Sequence, residues 1–335
     1  MATKLIVILG ITGQQGGSVA RVFQALPDWR IRGVTRDPSK SSSASLRDAG
    51  IELIAGDLDD PTTLDQAFKG ATAIFAVTDF WQFMDDPSTF AQAEKEGRLP
   101  NQIAMDREIQ QGKNIIVAAS KHLATLERLV VSTLSDSEKW SNGKIKWNLH
   151  FDGKAKYTQY LKDTYLELAH RTSYVQMGYY LSNWRMNPFF APQKLEDGSY
   201  IYRHMAIPDG KPIPYVDPPN DTGYFVKALV QAPHAGIDML GYCELMTAEQ
   251  YTQLWGKALG VQAKFESINT DSLKANGVPD FLALEIGESG QYVTRYGWDG
   301  GDPAVKHPKD VGVEVGKLTK VEDWIKREDW SSVFT

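Results

Sequence analysis

Residues 4–23 read KLIVILGITGQQGGSVARVF, a short apolar run that ends in glycines, with a helical pattern opening among them. An apolar run of this length reads as a strand buried on both faces, and such strands belong to parallel sheets joined through helices. Gly10 suits the tight turn off the strand, Gly13 a close approach of backbone to a pyrophosphate, and Gly16 close packing of helix on sheet. The helix start then presents free N–H groups to phosphates, with Thr12, Gln14 and Gln15 placed to add side-chain contacts.

The first half of the chain repeats this pattern. Strand-like runs stand at 4–10, 29–36, 51–58, 72–78 and 126–133, and helical ones at 18–25, 43–48, 62–68 and 104–121. The alternation predicts a doubly wound parallel sheet, the Rossmann arrangement, with right-handed crossovers. A further helix is expected from about 153 to 170, and a sixth strand near 173–180. Past 185, Pro- and Gly-rich segments, a capping pair at Thr247 and Gln250, and an aromatic tail indicate a smaller α+β lobe. The expected division is a nucleotide-binding domain over 1–160 and a substrate or partner lobe over 185–335. The insert 81–100 reads either as a lid or partner surface or as a solvated loop with a helical turn.

A chain of 335 residues can bury the core such a fold needs. Its net charge of -6 gives no basic footprint, which argues against direct contact with nucleic acid. No apolar run is long enough for a membrane span, and the first one ends in glycines rather than in a cleavage site. The single Cys243 cannot form an internal disulfide and reads as packing. A cytoplasmic setting is expected, with the nucleus as an alternative.

The second strand ends in Val34-Thr35-Arg36-Asp37, with Lys40 close behind. An arginine here suits a 2′-phosphate, because its guanidinium forms charge-assisted bonds and stacks on adenine. NADP(H) is therefore the expected cofactor. Asp37 keeps NAD(H) open, since an acidic residue near this point can hold ribose hydroxyls instead.

Six segments, GITGQQGGSVAR, VTRDPSK, GDLDD, VTDFW, HFDGKAKYTQYLKD and TAEQY, together resemble the NmrA-like family of atypical short-chain dehydrogenases. The resemblance spans nearly the whole chain and is closest to the animal NADPH-sensing type. The family also holds fungal nitrogen-metabolite regulators and reductases related to isoflavone and phenylcoumaran reductases. It implies that Asp57, Leu58, Asp79, Phe80, Trp81, Lys154, Tyr180 and Asn183 lie along a bound dinucleotide.

Ordinary short-chain dehydrogenases use Tyr-x-x-x-Lys, two side chains on one helix face. Here the lysine is kept as Lys154 and His150 stands at the tyrosine position. Ser132 or Thr133, after the fifth strand, falls where the catalytic serine usually lies. Two readings follow. In the favoured one Lys154 anchors the ribose, His150 is structural, and the protein is a redox-responsive regulator with a protein partner. In the alternative His150 gives a proton, as an imidazole can near neutral pH, and the chain reduces a small carbonyl or conjugated substrate with NADPH. Gly153 weighs against a well-formed helix face at His150. Tyr157 and Tyr160 read as packing residues.

Overall fold

The computed structural model describes residues 3–186 and 190–334. In chain order the strands are β1 (Lys4–Ile8), β2 (Trp29–Thr35), β3 (Glu52–Ala55), β4 (Ala73–Ala76), β5 (Arg128–Thr133), β6 (Thr172–Met177), β7 (Tyr179–Tyr180), β8 (Gln193–Lys194), β9 (Tyr200–His204), β10 (Ile213–Val216), β11 (Asp238–Gly241), β12 (Glu244–Met246) and β13 (Ala263–Ser267). The helices of the first half are α1 (Gln14–Gln24), α2 (Ala44–Asp48), α3 (Pro61–Phe68), α4 (Pro87–Glu96), α5 (Pro100–Ser120), α6 (Ser137–Trp140), α7 (Leu149–Thr164) and α8 (Leu166–Ala169). Those of the second are α9 (Pro218–Gln231), α10 (Ala248–Leu259), α11 (Thr270–Ala275), α12 (Asp280–Arg295), α13 (Val321–Arg327) and α14 (Ser331–Phe334).

Seven strands form one parallel sheet in the order β3-β2-β1-β4-β5-β6-β11. A parallel sheet must be covered on both faces, and this one is. Phe68, Ile115, Ile116 and Leu161 from α3, α5 and α7 pack one side. Val19, Phe23, Phe225 and Leu229 from α1 and α9 pack the other. Two three-stranded sheets, β7-β10-β12 and β8-β9-β13, frame a separate aromatic core that includes Tyr215, Tyr251, Trp255 and Trp330. The fold is the expected α/β one, a Rossmann-like sheet with smaller mixed sheets beside it. No helix among the described residues is long and apolar enough to cross a membrane.

Several boundaries differ from the sequence reading. The sixth strand stops at Met177 rather than running through 173–180, because the chain changes sheets at Gly178. A Cβ there would lie 2.2 Å from the Pro214 carbonyl oxygen, and Tyr179–Tyr180 then pairs with β10. A seventh strand, β11, extends the large sheet from far down the chain. Residues 218–241 thus lie with that sheet and not with the smaller lobe. Helix α7 begins at Leu149, before the expected 153, and ends at Thr164, with α8 separate. Gly153 does not weaken it, since packing on α5 holds it: a Cβ would come within 3.2 Å of Met105 Cγ and Glu108 Oε2.

The insert 81–100 holds more helix than the single turn expected. A 3-10 turn over Trp81–Asp85 leads into α4, capped by Asp86, which accepts from the Ser88 N–H at 2.9 Å. Gly97 closes α4 in the left-handed region, at φ 64°. Arg107 of α5 holds the capping carboxylate at 2.8 Å.

Candidate functional site

The glycine loop joins β1 to α1 at the centre of the large sheet. Gly10 has φ 61°, where a side chain is strained, and its carbonyl accepts from the Gly13 N–H at 2.9 Å. A Cβ at Gly16 would lie 2.3 Å from that same carbonyl oxygen, so only glycine lets α1 approach. Gly13 is the N-cap of α1 and has no side chain to satisfy the helix's first amides. Thr12, Gly13 and Gln14 are exposed at the loop's crest. Gln15 leans the other way: its Nε2 donates to the Tyr180 hydroxyl at 2.7 Å, while its Oε1 is buried and unpartnered. Burial pushes Tyr180 up to about 12, so its hydroxyl stays protonated. Asn183 bonds the hydroxyl of Tyr179, on the smaller lobe's side.

Arg36 follows β2, exposed and without a side-chain partner among the described residues. Asp37 is occupied: its Oδ1 accepts from the N–H (2.9 Å) and hydroxyl (2.6 Å) of Ser39, which hold it below the usual carboxylate range. Lys40 is exposed beside them. After β3, Asp57 accepts from the Asp59 N–H at 3.0 Å, and the Leu58 carbonyl accepts from Asn114 Nδ2 at 2.8 Å. After β4, exposed Asp79 accepts from the Trp81 N–H at 3.0 Å, and Phe80 is buried.

His150 and Lys154 stand one turn apart on α7. The Lys154 ammonium pairs with Glu108 of α5, whose side chain is wholly buried. Thr78 donates to Glu108 Oε1 at 2.8 Å and lies 3.5 Å from Lys154 Nζ. The Tyr157 hydroxyl donates to the Ser132 carbonyl at 3.1 Å and lies 3.3 Å from Thr78 Oγ1. Burial raises the Tyr157 phenol far above its ordinary range, with the Glu108 charge adding to it. Ser132 therefore enters this cluster through its backbone carbonyl. His150 Nδ1 lies 2.7 Å from Oε1 of Glu285, a wholly buried side chain of α12. The rings of Trp81 and Phe80 lie 5.1 and 6.0 Å from the imidazole.

The carboxyl ends of β1, β4, β5 and β6 thus gather the glycine loop, residues 79–81, the Ser132 carbonyl and Tyr180, with His150 and Lys154 on α7. Arg36 and Lys40 stand beyond the end of β2. Thr78, Glu108 and Glu285 escaped the sequence reading. The last two are 46 and 135 residues from the basic side chains they hold. Cys243 donates its thiol to the Tyr215 carbonyl at 3.2 Å, and burial pushes that thiol up, which fits packing.

An uncapped helix start behind a glycine loop whose crest is exposed makes a cradle that suits a dinucleotide's phosphates. Fold and cradle together define a Rossmann-like α/β protein. The chain belongs to the NmrA-like family, whose model matches residues 2–325. It is 25% identical over 287 residues to the NmrA-like family domain-containing oxidoreductase hkm9 of Aspergillus hancockii, covering 83% of this chain and 79% of that one. It is 23% identical to the corresponding oxidoreductase lnaB of Aspergillus flavus, over 96% of both chains. In structure it is similar to NmrA, a negative transcriptional regulator, in complex with NADP, at TM-score 0.72 and 18% identity over 100% of this chain and 98% of the other. It is also similar to an NADPH-dependent quinone oxidoreductase from Escherichia coli complexed with NADPH, at TM-score 0.64 and 20% identity over 98% and 100%.

Proposed function

We propose that this protein binds NADP(H) across the carboxyl ends of β1, β4 and β5 and reduces a small carbonyl or conjugated compound. The observation that carries this reading is the pair of basic side chains on one face of α7, each held by a buried glutamate from another element. The oxidoreductase names of the family relatives support the same reading.

Bound NADPH would supply the hydride. Lys154, kept in place by Glu108 and Thr78, would donate to the hydroxyls of the nicotinamide ribose. His150 would give a proton from Nε2 to the substrate oxygen, and Phe80 and Trp81 would keep water from that end. The glycine loop and the start of α1 would hold the pyrophosphate, with Gln15 and Tyr180 bordering it. Asp57, Leu58 and Asp79 would line the remaining length, and Asn183 the lobe side. Arg36, with Lys40 nearby, would take the 2′-phosphate while Asp37 stays with Ser39.

The test is NADPH consumption across a carbonyl and enone panel, with calorimetry on NADP(H) and NAD(H). Turnover should be lost in Lys154→Ala and fall by about 10²-fold or more in His150→Ala. Arg36→Ala should weaken NADP(H) binding by roughly tenfold, about 1.4 kcal/mol, and leave NAD(H) nearly unchanged. Equal losses for both nucleotides would count against the 2′-phosphate assignment.

The regulator reading is supported by residues 81–96. Trp81 touches His150, and Phe90 of α4 packs against Phe281 of α12 at 6.1 Å, so this segment meets both the candidate cofactor end and the smaller lobe. A cofactor that favours one arrangement of α4 would then alter a surface that a protein partner could read. Limited proteolysis there should differ with and without saturating NADP(H), and equal cleavage would argue against this role.

A further inference from the structure

The smaller lobe grips the start of the helix that carries His150. From α12, Glu288 Oε2 accepts from the backbone N–H groups of Lys146 and Trp147, at 2.5 and 2.7 Å. One turn earlier on α12, Glu285 Oε1 accepts from the His150 backbone N–H at 2.9 Å and faces Nδ1 at 2.7 Å. Its other oxygen accepts from Asn101 Nδ2 of α5 at 3.1 Å. Glu285 is wholly buried, so no water competes for these bonds.

Both oxygens of Glu285 accept from N–H donors, so the ring nitrogen facing Oε1 is read as the one that carries a hydrogen. That fixes Nδ1–H and leaves Nε2 as the exchanging position. The backbone bond to the same Oε1 sets the height of the carboxylate relative to the ring, and Trp81, Phe80 and Phe151 surround the imidazole. We infer that Glu285 is a positioning residue: from the smaller lobe it fixes the orientation and tautomer of His150, so that Nε2 is the atom that meets the substrate. This rests on the reductase reading. In the step it serves, the substrate carbon takes the hydride supplied by NADPH, its oxygen takes the Nε2 proton, and solvent returns a proton to Nε2. Nδ1–H stays on Glu285 throughout.

The experiment uses the full chain labelled with ¹⁵N-histidine, its ring signals recorded on the neutral imidazole at alkaline pH and assigned by their loss in His150→Gln. Wild type should show hydrogen on Nδ1. Glu285→Ala should lose that signature. A general acid contributes about 10²–10⁴-fold, so misorienting it should lower kcat at least about tenfold. NADPH affinity by calorimetry should change less than about twofold, since Glu285 acts on the proton donor and not on nucleotide binding. Glu285→Gln should rescue the signature and most of kcat. Its carbonyl can take both His150 bonds, and Asn101 can turn its unpartnered Oδ1 toward the new NH₂, giving up a 3.3 Å bond to the Phe281 carbonyl.

Hydrogen on Nε2 in the wild type, or an unchanged signature and kcat in Glu285→Ala, would overturn the inference. Should the alanine variant not fold, the spectra of wild type and Glu285→Gln still decide it, since hydrogen on Nε2 in either is fatal. Absence of turnover on every compound, or turnover indifferent to His150→Ala, removes the reductase reading instead and is distinguished by those same spectra.

Discussion

Lys154 is a charge with a buried counter-charge, and the consequence reaches past any nucleotide. Replacing it with alanine leaves the Glu108 carboxylate wholly buried without its cation. Breaking such a pair costs about 3–5 kcal/mol, whereas removing both charges costs far less. Urea unfolding should therefore show Lys154→Ala strongly destabilised and Glu108→Gln/Lys154→Met much closer to wild type. A loss of activity in Lys154→Ala must accordingly be read beside its stability. The two basic side chains were legible in the sequence because a spacing of four puts them on one helix face. Their glutamates were not, since nothing local marks a carboxylate whose partner is brought to it by the fold. Arg36 was legible for the opposite reason, because its place follows from where the second strand ends.

Helices α5 and α7 meet where glycine removes a side chain. A Cβ on Gly112 would come 2.2 Å from Tyr157 Cγ, so the ring lies flat over the α5 backbone. Gly112→Ala should destabilise the protein by about 1–3 kcal/mol through overpacking. It should also shift the Tyr157 hydroxyl from the Ser132 carbonyl and from Thr78, loosening Lys154 one turn away. The checks are a lowered denaturation midpoint together with weaker nucleotide binding by calorimetry. Gly153 shows why propensity misled at this helix: glycine is poor in an isolated helix, but here it admits Glu108 and Met105. The insert carried its own signs, with Asp86-Pro87 at the start of α4 and Gly97 at its end. They were legible, and the polar composition between them masked them.

Across the whole molecule, the first five strands could be read because each carries β-branched residues, and the first four are each followed by a helical run. β11 could not, for it is four residues long and pairs with β6 from more than 60 positions away. The aromatic core of the smaller lobe holds a buried titratable group, His204, whose Nδ1 accepts from the Ala206 N–H at 3.0 Å. Burial pushes it down to about 4 from 6.5. Between those values the unfolded chain binds more protons, so stability drops as pH is lowered from 6.5 toward 4, by on the order of 3 kcal/mol for this group alone. Asp152 and Asp238, pushed up to about 6 by burial, act in the opposite sense as pH falls from 6 toward 4. His204→Asn keeps an acceptor for Ala206 and leaves both aspartates in place. The difference between its pH–stability curve and the wild-type curve should isolate the histidine, with the variant losing less stability between pH 6.5 and about 4.

The grip of α12 on the start of α7 also limits how this architecture can be recombined. A chimera that kept the first 160 residues intact and took the remainder from a relative would inherit His150 without the carboxylate that holds its ring, unless both carboxylates of α12 travelled with the graft. The start of α7 and the face of α12 that holds it would therefore have to be exchanged as one unit.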